Sequence, residues 1–453
     1  MPDSKQNMPR LLLHQIVGAD WLRGRQRAYL ADSPGFGKTR TLLAGLPAGT
    51  NIGIICPAIV IPHWHHEAAA VGHAPDLLTA FSYQGVIQPG NAGQARREEL
   101  RYCDALILDE AHYLSNPEAQ RTKLIFGKDG ILRAHHQVFA ASGTPMARNP
   151  SHLYATLRAM APHLLAGVDT YMEWIEMTCR YDFRHIPGRP FTKPALHVFG
   201  ARDAPALHAL LTTPQQRYPP FMLRRTESDV GLGLPSLWWQ WKRVGVNTVG
   251  IDALIQTLDD DTQWMLRNLP GQLQSSPQAT ALRQALGVAK AVAFIPQLTD
   301  ELPEGSSLVL VAHHKAVMLI LSDALLDARI SFVQVDGSTS PEQRIKAIEL
   351  FQSGQAQVFL GSIGAMQTGI TLTAAHRIVI IEPGWTGDAN VQVVKRIHRI
   401  GQTHPCRAEL LIAAGTIEEA VMAQVEAEIA MMEQVIDGGT RAMRDTHTGF
   451  TAL

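Results

Sequence analysis

Lys38, Asp109, Glu110, Arg396 and Arg399 could together break a phosphoanhydride bond. Lys38 and Thr39 end the run Asp32-Ser33-Pro34-Gly35-Phe36-Gly37-Lys38-Thr39. Gly35 and Gly37 there let backbone N–H groups approach phosphate oxygens, and a helix start adds positive potential. Lys38 would reach the β- and γ-phosphates and Thr39 would ligate Mg²⁺, so ATP and Mg²⁺ are the expected cofactors. Asp32 departs from the GxxxxGK[ST] pattern, which has Gly at that place. Leu106-Ile107-Leu108-Asp109-Glu110-Ala111-His112 is an apolar run ending in two carboxylates. Asp109 could hold Mg²⁺, and Glu110 could orient and deprotonate a water. Arg396 and Arg399 lie three apart on an expected helix, share a face, and could neutralise charge developing on a γ-phosphate.

Such groups need strands that end together. In the first half, strand-like runs are Ala28–Ala31, Ile52–Cys56, Leu78–Ser82, Ala105–Leu108 and Gln137–Ala141. Helical patterns over Thr39–Leu46, Val60–Val71 and Gln94–Arg101 alternate with them. A second alternation has strands at Ser307–Ala312, Ser331–Val335, Gln357–Gly361, Arg377–Ile381 and Glu409–Ala413. Its helices are Lys315–Asp327, Pro341–Gln352, Ala389–Ile400 and the amphipathic Ile417–Ile436. Alternation of this kind predicts α/β structure with parallel sheets, ligands lying at the carboxyl ends of the strands. The expected organisation is a first lobe over 1–240 with an α-rich extension at about 151–235, a linker or hinge over 241–300, and a second lobe over 301–453 braced by its last helix.

The ordered set resembles the superfamily 2 helicase-like ATPases of the Swi/Snf family. Asp109-Glu110-Ala111-His112 is similar to the family's motif II. Asp32–Thr39 is similar to its variant motif I, where an acidic residue commonly replaces the first Gly. Gln15 stands where an adenine-sensing Gln lies, with His14 in place of the usual aromatic. Cys56-Pro57 through His63-Trp64 and Glu67 resembles motif Ia, Ser82-Tyr83 motif Ib, and Ser142-Gly143-Thr144-Pro145 motif III. Met222-Leu223-Arg224-Arg225, Asp229-Val230 and Leu234-Pro235 resemble the block closing the first lobe. Val311 to Lys315 resembles motif IV, Ser362 to Leu372 motif V, and Gln392 to Gln402 motif VI. The motif IV, Asp336-Gly337-Ser338-Thr339-Ser340 and motif III residues look most like the annealing-helicase (HARP-like) branch.

The resemblance implies two tandem RecA-like lobes with an ATP cleft between them, and a DNA-dependent ATPase that moves on duplex or branched DNA. It implies Gln15, Asp32, Gly369 and Gln392 as further nucleotide contacts. It places Pro57, His63, Trp64, Ser82 and Tyr83 of the first lobe in the nucleic-acid groove. From the second it adds His313, His314, Lys315, Gly337, Ser338 and Thr371. Backbone contacts of that kind predict little sequence specificity. An RNA-dependent ATPase of the same superfamily and an ATP-binding scaffold without turnover are the alternatives.

Composition is ordinary globular, with 46% hydrophobic and 18% charged residues, which excludes a mostly disordered or fibrous chain. The net charge of −1 conceals an uneven distribution. Residues 1–243 carry 26 Lys or Arg against 19 Asp or Glu, and residues 244–453 carry 14 against 22. The four cysteines form no CxxC pair, and the N-terminus has no apolar signal region. The expectation is a cytoplasmic monomer, in a bacterial or virus-infected bacterial cell, with no membrane partner. The histidine clusters read as surface and groove residues rather than a metal site. Trp238, Trp239 and Trp241 read as packing of the first-lobe extension, with base stacking as the alternative.

Overall fold

Short apolar runs without polar alternation are the pattern of strands covered on both faces. In the computed structural model each of those runs forms a strand. The structure describes residues 11–146, 148–185, 194–268, 276–300, 302–303, 305–366, 370–439 and 451–452.

In chain order the strands are β1 Arg27–Leu30, β2 Ile52–Cys56, β3 Leu78–Ser82, β4 Ala105–Asp109, β5 Gln137–Ala141, β6 Cys179–Arg184, β7 Ala195–Ala201 and β8 Met222–Leu223. They continue with β9 Leu237–Val244, β10 Leu308–Ala312, β11 Phe332–Val335, β12 Val358–Ser362, β13 Arg377–Ile380, β14 Cys406–Ala413 and β15 Thr451–Ala452.

The chain divides into two units. The first comprises Met1–Arg180, Gly200–Leu232 and Gln434–Thr440. Its sheet has the order β3-β2-β4-β5-β1-β8, with every pair parallel. β4, β5 and β1 are adjacent, so the loops after Asp109, Ala141 and Leu30 leave the same end of the sheet. That order makes a site: three segments far apart in sequence converge there. Trp64, Leu42, Ile54, Ile107 and Phe139 pack in the core of this unit.

The second unit comprises Tyr181–Phe199, Gly233–Glu433 and Arg441–Leu453. Its sheet has the order β11-β12-β10-β13-β14-β9-β15, also parallel. The helices Lys315–Asp327, Pro341–Gln352 and Ile417–Ile436 have the bounds the sequence predicts. β6 and β7 form a separate two-stranded sheet.

Two expectations change. The segment 241–300 is not a hinge: β9 pairs with β14 over its whole length, and the helix Pro277–Asp300 buries Ala291, Phe294 and Leu298 in the second core. Its Pro and Gly signals gather around 269–275, outside the described residues, and the flanking apolar faces decide the rest. For the same reason Trp239 and Trp241 pack within the second unit on β9, and Trp238 is 58% exposed.

Candidate active site

The loop after β1 turns through Gly35 and Gly37, at φ 92° and 74°. Only a residue without Cβ takes that region at no steric cost. The helix Lys38–Ala44 follows, so its free N–H groups face the loop. Lys38 Nζ donates to the Asp32 and Ser33 carbonyls at 2.9 and 3.3 Å, holding the loop closed around the ammonium. Burial lowers the Lys38 pKa, against the opposing charges of Glu110, Asp32 and Asp109. Asp32 is fully buried, and Arg225 grips its carboxylate through Nε (2.9 Å) and Nη2. Arg225 Nη1 also donates to the His14 carbonyl. Asp32 is thus committed to Arg225 and does not present its carboxylate to a nucleotide, contrary to the sequence assignment. A carboxylate facing phosphate would repel it, whereas here the charge is neutralised at the loop's base. Gln15 is buried too: its Nε2 donates to the Phe36 carbonyl at 3.2 Å and its Oε1 accepts from Leu12 N. It braces the loop from outside, alongside His14, whose Nε2 lies 2.9 Å from the same carbonyl.

Asp109 ends β4 and is oriented by neutral groups. Trp64 Nε1 donates to Oδ2 at 3.0 Å, Glu110 N to Oδ1 at 3.0 Å, and the Tyr83 hydroxyl to the Asp109 carbonyl at 2.8 Å. Burial and the neighbouring Glu110 charge raise its pKa above the usual carboxylate range, with Trp64 and Lys38 opposing. No ion pair to Asp109 is formed among the described residues. Glu110 sits at φ 51°, ψ 47°, a left-handed conformation that costs a non-Gly residue strain and aims its side chain out of the strand direction. Ser142, after β5, donates its hydroxyl to Glu110 Oε2 at 3.1 Å and accepts from Thr144 N at 3.0 Å. His112 Nδ1 lies 2.8 Å from that hydroxyl and 3.2 Å from Glu110 Oε2. The Ser142 proton is already given to Glu110, so the hydrogen bonding assigns the His112 proton to Nδ1. Burial pushes the Glu110 carboxyl up, but His112, Lys38 and Ser142 outweigh it and hold the group ionised.

The donor set fits a divalent cation. Asp109 offers a carboxylate without a cationic partner, and the Thr39 hydroxyl has no partner within the chain among the described residues. Hard oxygen donors of this kind, completed by phosphate oxygens and water, suit Mg²⁺. No group of three His, Cys, Asp or Glu is placed to hold a metal among the described residues, and the histidine clusters form none.

In the second unit the helix Gly387–Val394 stops before the arginines. Arg396 N and Ile397 N bond back to Val393 and Val394, the i to i−3 pattern of a tight turn. Arg396 and Arg399 therefore do not share a helix face, contrary to the periodicity reading. Arg399 Nη1 donates to the Ile370 carbonyl at 3.1 Å, and Leu372 N donates to the Arg396 carbonyl at 3.0 Å. The turn is pinned by His398, whose Nε2 lies 2.7 Å from the Pro235 carbonyl. Gln402 Nε2 pins it again, donating to the carbonyls of Thr373, Ala375 and Ile397. Gln392 is buried in the helix before the turn. Gly369 lies outside the described residues.

Residues 91–251 match the SNF2-related domain and residues 290–401 the helicase conserved C-terminal domain. The pair of domains is that of the Swi/Snf family of superfamily 2 helicase-like ATPases. Curated relatives include Protein CHROMATIN REMODELING 24 of Arabidopsis thaliana, 23% identical over 90% of this chain and 45% of its own length. DNA annealing helicase and endonuclease ZRANB3 of Mus musculus is 26% identical over 75% of this chain and 31% of its own. A SWI2/SNF2 ATPase core from Sulfolobus solfataricus, solved in complex with dsDNA, is 19% identical. It covers 95% of this chain and 93% of that one at a TM-score of 0.36, too low to carry weight. The chain spans less than half the length of these curated relatives. Annealing helicases and remodellers match at similar identity, so the likeness does not single out one branch.

The Swi/Snf motifs also hold residues turned away from where the sequence reading puts them. Trp64 and Tyr83 are 0% and 1% exposed and hold Asp109, so neither lines a nucleic-acid groove. Pro57 is buried at the start of a short turn, and Ser82 Oγ accepts from Gly85 N at 2.9 Å as a helix cap. Of the first-unit groove residues only His63 is exposed. In the second unit His313, Lys315, Gly337 and Ser338 are exposed, and His314 and Thr371 are half-buried. His314 Nδ1 lies 2.6 Å from Glu382 Oε1, and Glu382 Oε2 accepts from the amides of His313 and His314. Ser338 donates N and Oγ to Asp336 Oδ1. Ser142, His112 and Arg225 carry site geometry that no single motif letter assigns. Their signal was their place in blocks already recognised as motifs II and III and the block closing the first lobe.

Proposed function

We propose that the chain hydrolyses ATP with Mg²⁺ and uses the turnover to move on duplex or branched DNA, remodelling forks, annealing strands or displacing bound protein. The observation that carries the reading is the pair of adjacent carboxylates held in different states. Asp109 is oriented by neutral donors and has no ion-pair partner among the described residues, while Glu110 is kept ionised by His112 and Ser142. The glycine loop cradles the phosphates and Lys38 moves from its loop carbonyls onto them. Thr39 and Asp109 would hold Mg²⁺, which would supply charge neutralisation on the phosphate oxygens. Glu110 orients the attacking water and takes its proton. Arg396 and Arg399 supply positive charge to the γ-phosphate.

DNA as the partner is supported by the family and by the annealing helicases among the relatives. The excess of cations over residues 1–243 gives a backbone-reading surface the charge it needs. The protein acts in the cytoplasm as a monomer, with little sequence preference. The test is ATP turnover alone and with duplex, forked and single-stranded DNA and with RNA. Stimulation by duplex or forked DNA is expected. Stimulation by RNA alone would move the chain to an RNA-dependent role, and turnover blind to every nucleic acid would overturn the motor.

A further inference from the structure

The helices Gln120–Phe126 and Tyr154–Met160 bound a cavity of about 590 Å³ in the first unit. None of its lining residues belongs to the glycine loop, to Asp109–His112 or to Ser142–Pro145. Its charge is one-sided. Lys123, Lys128, Arg133 and Arg158 surround it and no carboxylate lines it. Of the four, only Lys123 has a carboxylate partner among the described residues, the exposed Glu118 at 2.6 Å. An exposed pair of that kind is weak and exchanges readily. Arg158 rests on an aromatic ring instead: its guanidinium lies 5.8 Å from the Tyr154 centroid and donates to the Tyr154 hydroxyl at 3.2 Å. Pro117, Phe126, Ala155 and Ala159 supply its apolar lining, and Thr122, 3% exposed, has a hydroxyl without a hydrogen-bond partner among the described residues.

We propose that this cavity is a second phosphate-binding site, distinct from the nucleotide loop, in which Lys128, Arg133 and Arg158 hold a phosphate group. The geometry favours phosphate over carboxylate because several separated cations must be satisfied by one ligand, and phosphate carries oxygens on all sides. The natural source is either a nucleic-acid backbone or a small phosphorylated molecule.

The test is calorimetric titration of the full chain with inorganic tripolyphosphate, in wild type, in Lys38→Ala, and in a triple variant with Lys128→Gln, Arg133→Gln and Arg158→Gln on the Lys38→Ala background. Binding that survives Lys38→Ala and weakens by roughly tenfold or more in the triple variant is expected. Loss of all binding in Lys38→Ala, or unchanged binding in the triple variant, would overturn the site. Thermal melting checks that the triple variant folds; if it does not, Lys128→Gln alone, at an exposed position, is expected to weaken binding about threefold. Competition by a short DNA duplex on the Lys38→Ala chain identifies backbone phosphate as the source, and its failure identifies a small ligand. The binding readout needs no turnover, so it stands or falls separately from the ATPase reading.

Discussion

Asp109 of the first unit and the buried carboxylates of the second unit are treated in opposite ways. In the first unit the half-buried Asp109 is held by Trp64, Tyr83 and its own neighbour's amide, and no cation pairs with it among the described residues. In the second unit, the buried carboxylates Glu409, Glu418 and Glu382 each have a basic partner. Glu409 meets Lys242, Arg377 and Arg407; Glu418 meets the fully buried Lys290; Glu382 meets His314 and two backbone amides. A compensated buried carboxylate belongs to the fold, whereas an oriented but uncompensated one is held for a ligand that brings its own charge. The contrast predicts that mutations separate cleanly into those that remove turnover and those that remove stability.

The sharpest break is Glu110→Gln, expected to lower ATP turnover about a thousandfold while the melting temperature falls only slightly, because Gln keeps a partner for Ser142 and loses only the charge that His112 and Lys38 favour. Steady-state hydrolysis and calorimetry on the same sample check both halves. Glu418→Ala should do the reverse. It leaves Lys290 buried without its carboxylate, a loss of about 3–5 kcal/mol in urea unfolding. Glu382→Gln should cost about 2 kcal/mol and should also change the acid limb. Burial pushes the Glu382 carboxyl up, but the bonds from His314 and the two amides outweigh it, so its pKa lies below the ordinary value. A depressed carboxyl stabilises the fold above its unfolded pKa, and that contribution fades as pH falls through the folded value. Wild type should lose stability below about pH 4, and the Gln variant should lose less over that range. Trp64→Phe removes the donor to Asp109 and, lacking the indole's second ring, leaves a small cavity in the first core. Turnover should fall roughly tenfold and stability by about 1–2 kcal/mol. Trp238→Ala, at an exposed strand position, should change stability by no more than about 0.5 kcal/mol and leave basal turnover intact. A large stability loss in Glu110→Gln, or a large turnover loss in Trp238→Ala, would dissolve the contrast.

The strand-bearing fold was legible because a parallel sheet needs unbroken apolar runs, and Ile52–Cys56, Gln137–Ala141 and their counterparts have few other uses. The glycine loop and the two carboxylates were legible because their spacing encodes a local turn. Direction was not legible. A motif block names Trp64 and Tyr83 but does not say that they point inward to Asp109, because that follows from packing across β2, β3 and β4. Asp32 looked like a phosphate-loop variant because its partner, Arg225, is 193 residues away. The arginine turn failed for a related reason. Apolar periodicity continues past Val394, but the chain turns there, and the turn is held by His398 at the Pro235 carbonyl and by Gln402 at the carbonyls of Thr373 and Ala375. Segment 241–300 looked like a hinge because its turn-forming residues are concentrated in a short stretch between elements whose faces are buried.

Arg224 adjoins the arginine that anchors the glycine loop, and its own side chain is 3% exposed. Its guanidinium pairs with Asp437, which lies 213 residues later in the chain and is counted with the first unit. During synthesis at about 5–20 residues per second, Arg224 leaves the ribosome roughly 10–40 s before its counter-ion. The first unit can therefore collapse early but cannot neutralise that buried cation until almost the whole second unit has been made. Completion of the nucleotide loop's support waits for Asp437 to emerge, and a nascent chain stalled within the helix Ile417–Ile436 would carry a first unit that is still unfinished.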